Sequence, residues 1–152
     1  MTDMQIRVQT TPFDLATEEA QLRVRAGDAG ALVAFQGMVR AFDQAVALTH
    51  LFVQHYPGVT EREIQRLLAT ASERWVLQAV QVIHRVGMLA VGEAIVLVLV
   101  AARHRQAAFE AANYVMDQLK TQAPFWKQEH FADGSARWVA LKAQDVQAAA
   151  RW

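Results

Sequence analysis

The sequence predicts an α+β domain built on mainly antiparallel strands. Three observations lead there. Short apolar or alternating stretches, the longest running from Ala94 to Ala102, are interspersed with segments whose apolar residues recur every three or four positions. Glycine and proline mark the turns between them, most clearly at Pro57-Gly58 and at Gly92. No internal repeat, low-complexity stretch or linker divides residues 1–152, so they are read as one domain.

Taken in order, Gln5 to Gln9 alternates weakly and predicts a first short strand. Phe13 to Arg25 carries Phe13, Leu15, Ala16, Ala20 and Leu22 among charged residues, a helical pattern that Gly27 ends. Ala31 to Arg40 predicts a strand interrupted by Gly37, and a glycine inside a strand marks a bulge or a close backbone approach. Val46 to Gln54 alternates before the Pro57-Gly58 turn. Thr60 followed by Glu63 fits a capping box, with Ile64, Leu67 and Leu68 as the apolar face of a helix through Arg74. Val80 to Gly87 predicts a strand, and Ala94 to Ala102, rich in Val and Leu, a central strand buried on both faces.

From Ala107 to Lys120 the residues Phe109, Ala112, Val115, Met116 and Leu119 predict an amphipathic helix. Pro124 stops it, because proline lacks the N–H that a helix interior needs and pushes Ala123 towards extended geometry. Phe125 to Phe131 then leaves as a strand with Phe125, Lys127 and Glu129 on one face and Trp126, Gln128 and His130 on the other. A turn at Asp133-Gly134-Ser135, a strand from Arg137 to Ala140 and a short C-terminal helix or tail from Gln144 to Trp152 complete the chain.

Composition limits the chemistry. A chain of 152 residues with 53% hydrophobic content holds enough apolar surface for a core without staples. Fifteen basic residues balance fifteen acidic ones, so nothing global favours nucleic acid or an anionic membrane, and an anion site has to be local. The longest apolar run is too short to span a bilayer, and the first residues lack the basic start and apolar segment of a secretion signal. The expectation is a cytoplasmic protein. With no cysteine there is no disulfide, thiolate metal site, thiol nucleophile or protein-bound persulfide, so any sulfur chemistry uses sulfur brought by another molecule.

Ser72 and Ser135 sit in no nucleophile-elbow pattern, the five histidines are scattered without an HExxH pair, and no glycine-rich phosphate loop occurs, so no metal site or serine triad is expected. What remains is a set of cationic groups at the ends of elements: Arg40, His104, Arg105, Lys120, Lys127 and Arg137. Such groups suit a ligand bearing phosphate or carboxylate, because arginine offers a planar fork and lysine a compact, tunable charge. Lysines at helix ends are ordinarily solvated charges favoured by the helix dipole, and spacing alone does not separate the two roles.

The segments Phe35-Gln36-Gly37-Met38-Val39-Arg40, His55-Tyr56-Pro57-Gly58-Val59-Thr60, Val82-Ile83-His84-Arg85-Val86-Gly87, His104-Arg105, Leu119-Lys120-Thr121 and Ala123-Pro124-Phe125-Trp126-Lys127 occur in an order and at intervals that closely resemble the large, catalytic subunit of molybdopterin synthase, the MoaE family. The resemblance implies an α/β-hammerhead fold with additional β structure. It implies conversion of cyclic pyranopterin monophosphate to molybdopterin by installing two sulfurs as a dithiolene. The sulfur then arrives as a thiocarboxylate on the C-terminal glycine of a small ubiquitin-like subunit, and two large subunits form a homodimer at the centre of a heterotetramer. No cofactor is implied. By the same resemblance Lys120 and Lys127 line the thiocarboxylate site, Arg40, His104, Arg105 and Arg137 form the pterin and phosphate pocket, and Phe35 and Met116 lie near the tail channel. Glu129 is expected to hold the lysine segment by ion pairing.

Gln54, Gln122, Gln128 and Arg103 depart from residues common in that family. Two other readings fit the residues: a non-catalytic subunit holding a phosphorylated metabolite, and a scaffold that docks a glycine tail through its carboxylate.

Overall fold

The computed structural model describes residues 1–43 and 46–152. The order is β1 (Asp3–Gln9), α1 (Leu15–Arg25), β2 (Ala31–Met38), β3 (Phe42–Asp43), β4 (Val46–His55), α2 (Val59–Arg74), β5 (Leu77–Arg85), β6 (Gly87–Ala90), β7 (Ala94–Ala102), α3 (Arg105–Thr121), β8 (Phe125–Phe131), β9 (Ala136–Trp138) and α4 (Ala143–Ala150).

One sheet runs β1-β5-β7-β2, with β1 parallel to β5 and the other pairs antiparallel. Its two faces are covered by different helices, which explains the continuous apolar run of β7. Val98 and Val100 point to the core shared with Ile64 and Leu68 of α2 and Ala111 and Val115 of α3. Leu97, Leu99 and Ala101 point to the other side, where Leu22 and Ala26 of α1 and its end pack. A strand with helices on both sides has no solvent face on which to place polar residues. No helix among the described residues is long and apolar enough to cross a membrane.

The second sheet is centred on β4, which pairs with β3, β6 and β8, while β8 carries β9 at its outer edge. Gly87, at φ 94°, opens β6 and lets the chain leave the first sheet and join β4 of the second. A third core of Val39, Leu51, Val53, Val86 and Leu89 fills the junction of the sheets. Gly37 sits at a register shift between β2 and β7, where an added Cβ would come within 2.9 Å of the Val96 side chain. The interruption foreseen there is thus a close approach combined with a bulge.

Several boundaries differ from the sequence reading. Helix α2 begins at Val59, with the Glu61 carboxylate accepting the Gly58 N–H at 3.0 Å, so the Thr60–Glu63 capping box is not formed. Thr60 is instead wholly buried. Strand β5 begins at Leu77 because Leu77 and Ala79 still find partners in β7. Phe109 lies on the exposed side of α3, and the buried stripe is Ala108, Ala111, Ala112, Tyr114, Val115 and Leu119, whose alanines let the helix lie close to the sheet. The two-residue β3 and four-residue β6 were not anticipated, being too short to show a period.

Candidate active site

The chain stops being helical at Thr121 and starts β8 at Phe125, and three separate segments hold that start in place. The buried Thr60 hydroxyl accepts the Tyr56 N–H at 3.0 Å and donates to the Pro124 carbonyl at 3.0 Å, tying the His55–Thr60 loop to the residue before β8. The Phe125 ring stacks on His84 of β5, with centroids 3.8 Å apart and planes 18° from parallel. The β4–β8 ladder sets Phe125 opposite His55 and Lys127 opposite Val53. Segments distant in sequence therefore share one task, fixing the strand that carries Lys127.

In front of that strand opens a cleft of about 540 Å³. Alternation along β8 puts Phe125, Lys127 and Glu129 on its wall, whereas Trp126 is exposed and Gln128 hydrogen-bonds His130 at 3.0 Å. Lys120 reaches the cleft from the last turn of α3. Arg40 lines it from beyond β2, placed by the buried Val39, whose N–H donates to the Glu93 carbonyl and whose carbonyl accepts from Gly92, both at 2.9 Å. Arg137 lines it from β9, donates to Glu129 at 2.9 Å and lies over the Phe131 ring. Glu129 is thus ion-paired as the sequence suggested, but its partner is Arg137 on the neighbouring strand.

The remaining wall comes from the segment after β9. Val139 donates its N–H to the Lys127 carbonyl at 2.8 Å, and Leu141, Lys142 and Asp145 follow it along the opening. This segment is held at its far end by Trp152, whose indole N–H donates to Asp117 at 2.6 Å and whose ring meets Trp75 and Tyr114 edge-on. Lys142 and Asp145 were missed in the sequence because α4 has a weak pattern and nothing local says that it folds back across α3.

Charge is concentrated here. Burial first, and then the neighbouring Lys120, lower the Lys127 pKa from its ordinary 10.5 to about 8; Asp145 opposes the shift and Lys142 adds to it. The amine is therefore partly unprotonated near neutral pH and suited to exchanging a proton. Lys120 is exposed at the rim.

The other four residues singled out in the sequence lie elsewhere in this chain. His104 precedes the first turn of α3 and Arg105 opens it, both exposed, and a 1.5 Å rise per residue puts them about 22 Å along the helix from Lys120. Phe35 is 39% exposed on β2, the edge strand of the first sheet. Met116 packs against the core under α3. None of the four lines the cleft. The departures from the resembled pattern also lie outside it: Arg103 donates to Asp28 at 3.0 Å, Gln54 stands opposite Trp126, and Gln122 follows α3 as its cap.

The family described as MoaE protein matches residues 8–122. The chain belongs to the MoaE family. A relative from Mesorhizobium japonicum, named molybdopterin synthase catalytic subunit, is 53% identical over 97% of this chain and 92% of its own length. The solved structure of molybdopterin cofactor biosynthesis protein E from Burkholderia multivorans matches with a TM-score of 0.83 at 41% identity, covering 99% of this chain and 97% of that one. A complex of subunits 1 and 2 of molybdopterin-converting factor from Helicobacter pylori shares the fold, with a TM-score of 0.69 at 18% identity over 93% of this chain and 91% of that one. The α+β class with mostly antiparallel sheets is thus the architecture of MoaE proteins, and the resemblance read in the sequence is a family relation.

Proposed function

We propose that this chain is the catalytic subunit of a molybdopterin synthase, converting cyclic pyranopterin monophosphate to molybdopterin in the cytoplasm as one domain. The sulfur donor is the C-terminal glycine thiocarboxylate of a small ubiquitin-like subunit, in keeping with a chain that has no cysteine of its own. The observation that carries the reading is the meeting of Lys120 and Lys127 at one cleft, with Lys127 held near a pKa of about 8.

The glycine tail enters with its acyl group at Lys127. Each transfer forms a carbon–sulfur bond on the pterin side chain in place of a carbon–oxygen bond, whose oxygen leaves as water or as the freed end of the phosphate ester. Water cleaves the acyl carbon–sulfur bond, so that a carboxylate is left on the carrier. Lys127 exchanges the protons of that cleavage, and Lys120 stabilises the charge that develops on the acyl oxygen. Arg40 and Arg137 offer planar guanidinium groups to the phosphate. Arg137 does so while tethered by Glu129, which limits its freedom before substrate arrives. His104 and Arg105, a helix length from the lysines, serve a cleft of the neighbouring copy in a homodimer, as Phe35 on the open edge of β2 also would. Met116 acts from beneath α3 by shaping the tail channel.

The test mixes the chain with thiocarboxylated small subunit and cyclic pyranopterin monophosphate and follows the dithiolene pterin by mass spectrometry. Product from the native chain and none from Lys127→Ala, with small-subunit affinity retained, is expected. No product from the native chain despite binding of both components defeats the reading and leaves a binding subunit.

A further inference from the structure

Behind Lys127 lies a histidine to which the reaction as described gives no role. His84 is 4% exposed near the end of β5, between Val8 of β1 and Val96 of β7 in the ladder. Its Nδ1 is 2.8 Å from the Arg85 carbonyl, so that nitrogen carries the hydrogen and donates it. The Arg85 side chain itself turns towards Glu93 and the carbonyls of Ala94 and Thr10. The His84 ring lies flat against Phe125, and Phe125 shares with Lys127 both a face of β8 and the wall of the cleft.

We propose that His84 is a positioning residue for Lys127: stacked against the back of Phe125, it closes the sheet side of the cleft to water and fixes the strand turn that aims the lysine. A ring here has to be flat to stack, and the imidazole also donates to a strand-end carbonyl. It also has to remain uncharged beside a lysine. Burial, followed by the charge of Lys127, lowers the His84 pKa to about 3, so the imidazole is neutral wherever the lysine titrates.

The groups facing Lys127 fall into two sets. On the open side stand Lys120 from α3 and Lys142 and Asp145 from the last segment, with Arg40 beyond β2 and the Glu129–Arg137 pair along the strands. On the sheet side are His84 and, opposite Phe125, His55, which faces Glu61 at 3.8 Å. Water admitted on the sheet side would hydrate the ammonium form and return Lys127 towards 10.5.

The inference rests on Lys127 being the amine that exchanges protons, but its test needs neither substrate nor the small subunit. Carbon-13 labelled lysine is titrated in the chain alone, the Lys127 Cε resonance being assigned by its loss in Lys127→Arg. A midpoint near 8 is expected for the native chain. His84→Phe, which keeps a stacked ring, should stay within about half a unit of it, and His84→Ala should rise by about one unit as water enters. Phe125→Leu, which removes the other half of the stack, should rise in the same direction and serves if His84→Ala does not fold. Nitrogen-15 spectra of the native chain should show one neutral His84 tautomer from pH 5 to 9. An unmoved lysine midpoint in both His84→Ala and Phe125→Leu, or a His84 that gains charge in that range, overturns the proposal. Absence of sulfur transfer with the displaced lysine midpoint intact would count against the synthase reading and leave this inference standing.

Discussion

Two polar clusters in this molecule are built on opposite terms. Between α1 and the first sheet, Glu18, 7% exposed, pairs with Arg7 and accepts from the fully buried Gln81 at 2.6 Å. The Gln81 carbonyl oxygen accepts from Arg25 at 2.6 Å, and Arg25 pairs with Asp3 at 3.0 Å. Each charge there has an opposite neighbour. In the cleft, Lys120, Lys127, Lys142 and Arg40 share the wall with Asp145, while Glu129 is already engaged by Arg137. Balanced charge under a helix holds an element in place, whereas an excess of one sign at a cleft is a cost to the fold that a ligand of the other sign relieves.

The contrast is broken most severely at Lys127. Lys127→Ala is expected to reduce dithiolene formation by about 10²- to 10³-fold, the range for loss of a positioned proton-transfer or charge-stabilising group. Small-subunit affinity, read by calorimetry, should change little. A parallel fall in affinity and turnover would show that the lysine anchors the tail instead.

The balanced cluster should fail in the opposite manner. Glu18→Ala leaves the Gln81 amide without its acceptor in a buried site and removes the partner of Arg7, a loss of about 2–4 kcal/mol. Thermal unfolding should fall by about 5–10 °C. Turnover per folded molecule should be retained, since neither α1 nor β1 reaches the cleft.

How far this contrast is legible in the sequence differs between the clusters. The apolar run of β7 gives away a strand covered on both sides, and Pro124 with the alternation of Phe125, Lys127 and Glu129 gives the face of β8. The lysine pair is legible for the same reason, since it flanks one helix stop. The role of Thr60 is not: a threonine at the start of an apolar helix looks like a cap, and only the packing of Pro124 against its hydroxyl shows otherwise. His84 is equally silent, because its stack joins residues 41 positions apart in the chain. His104 and Arg105 show the converse failure, for their type suits the site while their place at the far end of α3 removes them from it in one chain.

A milder test of the excess charge is Lys127→Met, which keeps the length of the side chain. In the native protein folding takes this lysine from about 10.5 to about 8, so between those values the folded chain binds fewer protons than the unfolded one and stability rises with pH. Below pH 8 the penalty is present in full. Methionine removes it, and unfolding at pH 7 should rise by several °C as activity disappears. At pH 10.5 the native chain has recovered much of the difference, and the two transitions should converge.

The smallest expected change lies at Asp145, the acid that draws the Lys127 proton back. Asp145→Asn removes a negative charge from the mouth of the cleft while keeping its shape, so Lys120 and Lys142 act on Lys127 unopposed and its pKa drops further below the ordinary lysine value. The midpoint of activity against pH should move down by about half a unit, and turnover below pH 7.5 should increase slightly. Because Asp145 acts across a solvent-facing opening, about 0.5 M salt should erase most of that difference. The His84→Ala displacement, arising on the dry side of the strand, should survive the same salt. An Asp145→Asn midpoint that kept its downward displacement in salt would place the acid in direct contact with the amine and shrink the excess of positive charge on which the contrast between the two clusters depends, and one that moved up would show that Asp145 does not hold the Lys127 proton.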